Sequence, residues 1–282
     1  MSETKITLSL QKQIDQIESL PPFPLLGNIL KSFLHADSDG DIRPLISNIE
    51  SEPSIAAKVL GVANSAFFGG KDDIKTIRDA SARLGLLQLK SIVYSLVLSS
   101  RFKAKQCPHF VISRFWQDSM MQAHCARTIC DHLNLESKTV RNEVYSIGLL
   151  QRIGILALVE LNPEKMELLL AHDTNETIGE KITSAFGIDH YTASAALLRH
   201  WSLPASFHQA IQNLTNCKYA GPYEEIVWIL QQSREILQNL DNTEMIKLDT
   251  RLGQHLNQEW LCQVVNATEN DQAWINSFAS HL

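Results

Sequence analysis

The stretch from Tyr145 to Leu161, YSIGLLQRIGILALVEL, is apolar at nearly every position, yet Gln151 and Arg152 stand side by side at its centre. A guanidinium buried without a partner costs several kcal/mol. The segment must therefore reach solvent at that point or set a negative group opposite Arg152. Arg152 shares a helical stripe with Gly148, Leu156 and Val159, so the spacing predicts one helix from Val144 to Leu161.

The same period dominates the chain. In PSIAAKVLGVANSAFFG the residues Ile55, Val59, Val62 and Ala63 fall on one stripe, Pro53 suits a first turn, and Gly69 and Gly70 suit a stop. Similar patterns run over Ile6 to Ile17, Leu25 to Leu34, Leu45 to Ile49, Leu84 to Leu98, Ile112 to Leu133, Ala193 to Trp201 and Ile226 to Leu240. No stretch alternates with period two for long enough to demand a strand. The fold class expected is all-α. The weakest seam is RFKAKQCPHF, Arg101 to Phe110, where a long apolar helix ends in basic residues and Pro108 interrupts the pattern. It suggests two packed helical subdomains, residues 1–105 and 106–282, and no fixed-period repeat points to a solenoid.

Composition excludes several function classes. A chain of 282 residues with 44% hydrophobic side chains can build a continuous core. A net charge of −6 supplies no basic stripe for phosphates, so a nucleic-acid partner is not expected. The five cysteines include no CxxC pair, which indicates neither a disulfide framework nor a cysteine zinc site. Residues 1–20 are amphipathic and charged where a secretion signal would need an apolar block, and the long apolar runs are interrupted by Gln, Lys or Arg. These features lead to the expectation of a cytoplasmic protein with reduced thiols and no membrane partner.

Some patterns only imitate sites. Asp37, Asp39 and Asp41 match the first ligands of a calcium loop, but Ile42 and Asn48 occupy the positions that need Gly and Glu, so the stretch reads as a solvated capping turn. FGGKD lacks the spacing of a phosphate-cradling loop. There is neither a Gly-x-Ser-x-Gly elbow nor a His-Glu-x-x-His pair. The small residues of ANSAF, Ala63 to Phe67, allow close backbone approach, with Asn64 and Ser65 able to bond a neighbouring loop. They read as structural glue between helices. Trp228, Trp260 and Trp274 are packing residues or partner anchors.

Several segments taken in order resemble the HDOD family, the HD-related output domain of bacterial signalling proteins. They are LPPFPLLGNIL (Leu20 to Leu30), SEPSIAAKVLGVANSAFFG (Ser51 to Gly69), IKTIRDASARLGLLQLKSIV (Ile74 to Val93), FWQDSMMQAHCARTI, GLLQRIGIL and GIDHYTASAALLRHWSLPASFHQAI (Gly187 to Ile211). Glu52 and Phe68 depart mildly from the family pattern. The resemblance covers about residues 20–211 and implies an all-α fold whose second subdomain is similar to HD phosphohydrolases, with residues after about Asn213 as a helical extension.

In HD phosphohydrolases a His on one helix, a His-Asp pair on the next and a further Asp bind divalent metal, which generates the attacking hydroxide. Here the Trp-x-His-Ser motif is met by Trp116, Gln117, Asp118 and Ser119, so Asp118 stands in the place of the first His. Leu-Leu-His-Asp-Ile-Gly is met by Leu149, Leu150, Gln151, Arg152, Ile153 and Gly154, so Gln151 replaces the His and Arg152 the Asp. His190 matches a family histidine, and His208 follows Pro204 where it could line the cleft. Both read first as packed or capping-region histidines.

The resemblance thus implies degenerate metal-site positions at Asp118, Gln151, Arg152 and His190, with no catalytic residue, no metal and no cofactor assigned. Asp118 and Arg152 carry opposite charges on faces expected to be partly buried, so an ion pair filling the vacated site answers the question that Arg152 raises. The leading functional reading is a non-catalytic signalling or scaffold protein with a protein partner. The alternatives are a metal-dependent phosphohydrolase with unconventional ligands, using Asp118, His190 and His208, and a nucleotide or anion sensor that binds its ligand at Arg152.

Overall fold

The computed structural model describes residues 11–21, 23–68, 73–102, 106–133, 137–171, 177–240, 246 and 258–279, and shows no strand among them. In chain order the helices are α1 (residues 11–18), α2 (Pro24–Asp39), α3 (Arg43–Glu50), α4 (Pro53–Ala63), α5 (Ile77–Leu84), α6 (Leu86–Arg101), α7 (Ile112–His132), α8 (Lys138–Leu150), α9 (Ile153–Leu161), α10 (Pro163–Ala171), α11 (Ile178–Phe186), α12 (His190–His200), α13 (Ala205–Gln212), α14 (Glu224–Gln238) and α15 (Gln258–Ala279). The all-α expectation holds. FGGKD and the Gly69–Gly70 stop fall largely outside the described residues, as does the start of the expected Ile6 to Ile17 helix.

The chain forms two compact units, each drawn from three stretches. One comprises Met1–Phe23, Phe102–Ile112 and Leu150–Val227; the other comprises Pro24–Arg101, Ser113–Leu149 and Trp228–Leu282. In the first, α12 packs against α9 and α13. Its start is fixed by Asp189, whose carboxylate accepts the Tyr191 and Thr192 amides at 2.9 Å, satisfying donors that a helix start leaves open. Beyond its end, Trp201 meets Phe23 edge-on and Phe102 at a tilt, and its indole donates to the Pro21 carbonyl at 3.1 Å.

In the second unit α6 is the central rod. Every residue from Leu89 to Leu98 is buried, with α2, α4 and α5 packed on it. The approach to α6 is tightly specified. Asn64, the C-cap of α4, donates to the Ile74 carbonyl at 2.8 Å and accepts the Ile74 amide at 2.7 Å, so the ANSAF glue ties the end of α4 to the next loop. Thr76 then caps α5 through the Asp79 amide at 3.1 Å. Gly85, at φ 80°, turns the chain into α6 in a conformation that side chains disfavour.

Trp228, Trp260 and Trp274 are all buried and so serve packing. Val140–Leu161 is long and apolar enough to cross a membrane, at mean hydropathy 1.6, but 83% of its most apolar window is buried within the protein. All five cysteines are free thiols; Cys107, Cys125 and Cys130 are buried while Cys217 and Cys262 are exposed. Burial pushes the Cys107 thiol up to about 11 and Cys125 up to about 12, which removes the reactive thiolate. Native protein should therefore react with a thiol reagent at two sites within minutes and at five after denaturation. Rapid labelling of Cys125 in the native state would contradict this burial.

Candidate functional site

The expected helix from Val144 to Leu161 is broken at its polar centre. Gln151 and Arg152 form a turn between α8 and α9, and Arg152 is the N-cap of α9. The cause lies two residues on. The Gly154 amide donates to the Ser194 hydroxyl at 2.8 Å, and that hydroxyl donates to the His190 carbonyl at 2.7 Å. The Gly154 N–H thus serves the crossing with α12, and the next amide, Ile155, reaches back only to the Arg152 carbonyl at 2.9 Å. Gly154 permits this approach because a Cβ there would stand 2.5 Å from both the His190 carbonyl oxygen and the Ser194 nitrogen. This crossing brings the Gln151–Arg152 turn and the start of α12 into one corner of the first unit.

Around that corner Gln151 is buried and Arg152 half-buried. His190, the first residue of α12, is buried with its ring 4.0 Å from that of Tyr191, and a Cβ on Gly179 would stand 2.9 Å from its Cε1. The ring is thus enclosed by α11 and its own neighbour, as expected of a packed histidine. His208 lies half-buried on α13. Burial, and then the nearby Arg199 charge, holds its pKa below the usual histidine range, and Arg199 itself pairs with Glu18 at 2.9 Å.

Asp118 belongs to the other unit. It is exposed on α7, a correction to the partly buried face inferred from its stripe. Cys125, on the same stripe, is covered by α14, with its sulfur 3.8 Å from the Ser233 carbonyl. Helical spacing gives the angle of a face, not how far along the axis a neighbour covers it.

Metal chemistry requires neutral imidazoles and carboxylates converging on one point. Gln151 and Arg152 offer an amide and a guanidinium, beside a histidine ring enclosed by Gly179 and Tyr191. Among the described residues no three His, Cys, Asp or Glu side chains group as metal ligands would. The residues present do not fit a divalent cation, and no hydrolytic step is derived through one.

A second polar centre lies inside the other unit, where sequence reasoning placed none. The Asp271 carboxylate on α15 lies 3.1 Å from His124 Nδ1 on α7. The other ring nitrogen, Nε2, lies 2.7 Å from the Tyr145 hydroxyl on α8. That hydroxyl meets Ser91 on α6 and lies 3.0 Å from the Leu87 carbonyl. An ionised carboxylate only accepts, so the Nδ1 contact is donated by the ring, while the tyrosine O–H is donated to the Leu87 carbonyl. His124, Tyr145 and Ser91 are buried, so the relay joins four helices out of reach of a substrate. Beside it Lys90, fully buried, pairs with Asp37; Asp41 pairs with Arg43. The DSDGD stretch is therefore not simply a solvated turn, since its first carboxylate neutralises a lysine in the core. Burial holds the Lys90 pKa below the usual lysine range, with Asp37 opposing. The available signal was Lys90 itself, a charge in the middle of an apolar run with no solvent face; His124, Tyr145 and Asp271 are too far apart in sequence for any local pattern.

Comparison with known proteins agrees with this architecture. A 2.25 Å crystal structure of a candidate signal transduction protein from Marinobacter aquaeolei VT8 superposes with a TM-score of 0.75 at 20% identity, covering 99% of this chain and 66% of that one. An HDOD domain protein of unknown function from Geobacter sulfurreducens gives 0.68 at 20% identity, covering 99% and 98%. A candidate phosphohydrolase from Shewanella amazonensis SB2B gives 0.66 at 20% identity, covering 96% and 97%. An uncharacterized protein of Treponema pallidum (strain Nichols) is 23% identical over 223 residues, 77% of this chain. The chain spans 41% of the length of that curated relative and about two thirds of the Marinobacter chain. The HDOD domain model matches residues 20–217, most of the length, and the chain belongs to the HDOD family.

Proposed function

We propose that this chain is a non-catalytic member of the HDOD family, acting in the cytoplasm of a bacterium as a signal-transduction scaffold that binds a protein partner. The observation that carries the reading is the pair Gln151 and Arg152 at the HD positions, held beside the start of α12 by the Gly154 crossing. A guanidinium about 4 Å from a dication, at an effective dielectric of ~20, is repelled by roughly 8 kcal/mol. Such a site expels the ion that hydrolysis would need. Asp118, in the place of the first HD histidine, is a carboxylate exposed on α7 of the other unit. A retained fold without metal chemistry is suited to presenting surfaces to a partner.

Metal analysis of protein purified without chelator, run beside a phosphodiester turnover assay, tests the reading. The expected result is less than stoichiometric manganese, iron, nickel or zinc and no turnover, with a specific partner recovered by pull-down. Stoichiometric metal with turnover that disappears in Asp118→Ala would overturn it in favour of a phosphohydrolase with unconventional ligands.

A further inference from the structure

The buried polar centre of the second unit needs one proton more than neutral side chains supply. The Tyr145 hydroxyl has three partners: the Leu87 carbonyl at 3.0 Å, His124 Nε2 at 2.7 Å and the Ser91 hydroxyl. A hydroxyl brings one proton and two lone pairs. The Leu87 carbonyl cannot donate, so it receives that proton, and Nε2 and Ser91 must each donate to a lone pair. Burial holds the Tyr145 phenol far above its usual range, which keeps the proton on oxygen. On the other side of the ring, Asp271 accepts from Nδ1 at 3.1 Å, and its second carboxylate oxygen accepts the Trp274 indole N–H at 3.3 Å. Both nitrogens of His124 therefore carry hydrogen. The ring is an imidazolium, and its side chain is only 3% exposed.

The surrounding charges suit that state. Asp271 on α15 is in direct contact with the ring. Lys90 on α6, whose nitrogen lies 5.9 Å from the Tyr145 ring centre, is balanced by Asp37 of α2. Arg127, one turn along α7, is balanced by Asp131 at 3.0 Å. From α14, the contacts to Gln122 and Cys125 of α7 come from uncharged groups of Leu230 and Ser233. The Asp271 side chain is 27% exposed, so it links the buried ring to solvent.

We propose that His124 is a proton-sensing residue, whose second proton ties α7 to α8 through Tyr145 and to α15 through Asp271, and whose loss as pH rises loosens that packing. A neutral ring keeps Nδ1–H for Asp271 and turns a lone pair toward Tyr145. The Tyr145 O–H then swings from the Leu87 carbonyl to Nε2. That carbonyl loses its side-chain donor, and the ion pair with Asp271 becomes an ordinary hydrogen bond. The two arrangements use the same heavy atoms and differ by one proton, so no helix has to leave its place.

The sign follows from linkage. A histidine in the unfolded chain titrates near pH 6.5. Above about pH 7 the folded state thus holds one proton that the unfolded state has given up, and stability falls as pH rises. The folding constant drops by about tenfold per pH unit for one such proton.

The test reads the ring directly, in nitrogen NMR of the full chain labelled at its histidines. The His124 signals are identified by through-space contact with the Tyr145 ring, whose centre lies 5.0 Å away. At pH 7.5 both ring nitrogens should give the signal of a protonated nitrogen; one that gives the signal of a bare lone pair would overturn the proposal. Urea unfolding of wild type and Tyr145→Phe supplies the second measurement. The variant removes the acceptor of Nε2 and so the need for the second proton. Between pH 7 and 8 the stability advantage of wild type over Tyr145→Phe should shrink by about tenfold in the folding constant. An advantage that stays constant over that range marks a merely structural network and would also overturn the proposal. Should Tyr145→Phe fail to fold, the wild-type spectrum decides by itself. Neither measurement involves a partner, metal or turnover, so the proposal stands or falls independently of the scaffold reading.

Discussion

Lys90→Ala should lower folding stability by about 3–5 kcal/mol, the usual consequence of removing one member of a buried ion pair. Lys90 is fully buried and its partner Asp37 is 9% exposed. Truncation therefore strands a carboxylate in the interior, and the desolvation that the ammonium offset is then uncompensated. The aliphatic stem packs as well, and its nitrogen sits 5.7 Å from the Phe33 ring centre and 5.9 Å from that of Tyr145, so the ammonium also meets two aromatic faces.

The double variant Lys90→Met/Asp37→Leu separates these contributions. It removes both charges and keeps most of the volume, so it should unfold within about 1 kcal/mol of wild type, or above it. Urea unfolding of wild type, Lys90→Met, Asp37→Leu and the double variant closes the cycle. A loss below about 1 kcal/mol in Lys90→Ala would mean that the pair is open to water and that the core of this unit is misdescribed.

Much of the architecture could be read directly from the chain, because helical period and breakers are local properties. Pro53 at the start of α4, Asn64 at its end and the central apolar run of α6 follow from neighbours within a turn or two. What escaped was set by tertiary partners. The break at Gln151–Arg152 has no local stop signal, since the Gly154 amide is engaged by Ser194, forty residues away in sequence. The relay from Asp271 to Ser91 is assembled from four helices. Asp37 looked like a surface acid because the chain does not reveal that Lys90 lies opposite it. The residue types at positions 118, 151, 152 and 190 were visible, as identity is a property of sequence. The surroundings of each position were not: Asp118 is exposed, Gln151 buried and His190 enclosed.

Glycines give a further prediction in which sign and size are both set by geometry. Gly154→Ala should cost about 3 kcal/mol, at the upper end of overpacking penalties. The added methyl would meet the His190 carbonyl oxygen and the Ser194 nitrogen at 2.5 Å and the Ala193 Cβ at 2.8 Å. Two of these are backbone atoms of α12, which cannot rotate away as a side-chain tip would, so α9 and α12 must separate and the Gly154–Ser194 hydrogen bond must stretch. Gly27 in α2 and Gly61 in α4 have nothing within 4 Å of the corresponding position. Alanine at either should instead stabilise by about 0.5–1 kcal/mol, because it reduces the freedom of the unfolded chain and strain is absent. Thermal unfolding of the three variants should therefore place Gly154→Ala below wild type and the other two above it. Equal melting temperatures for Gly154→Ala and wild type would show that α9 and α12 do not approach this closely, and the account of why the helix breaks at Gln151 would fall with it.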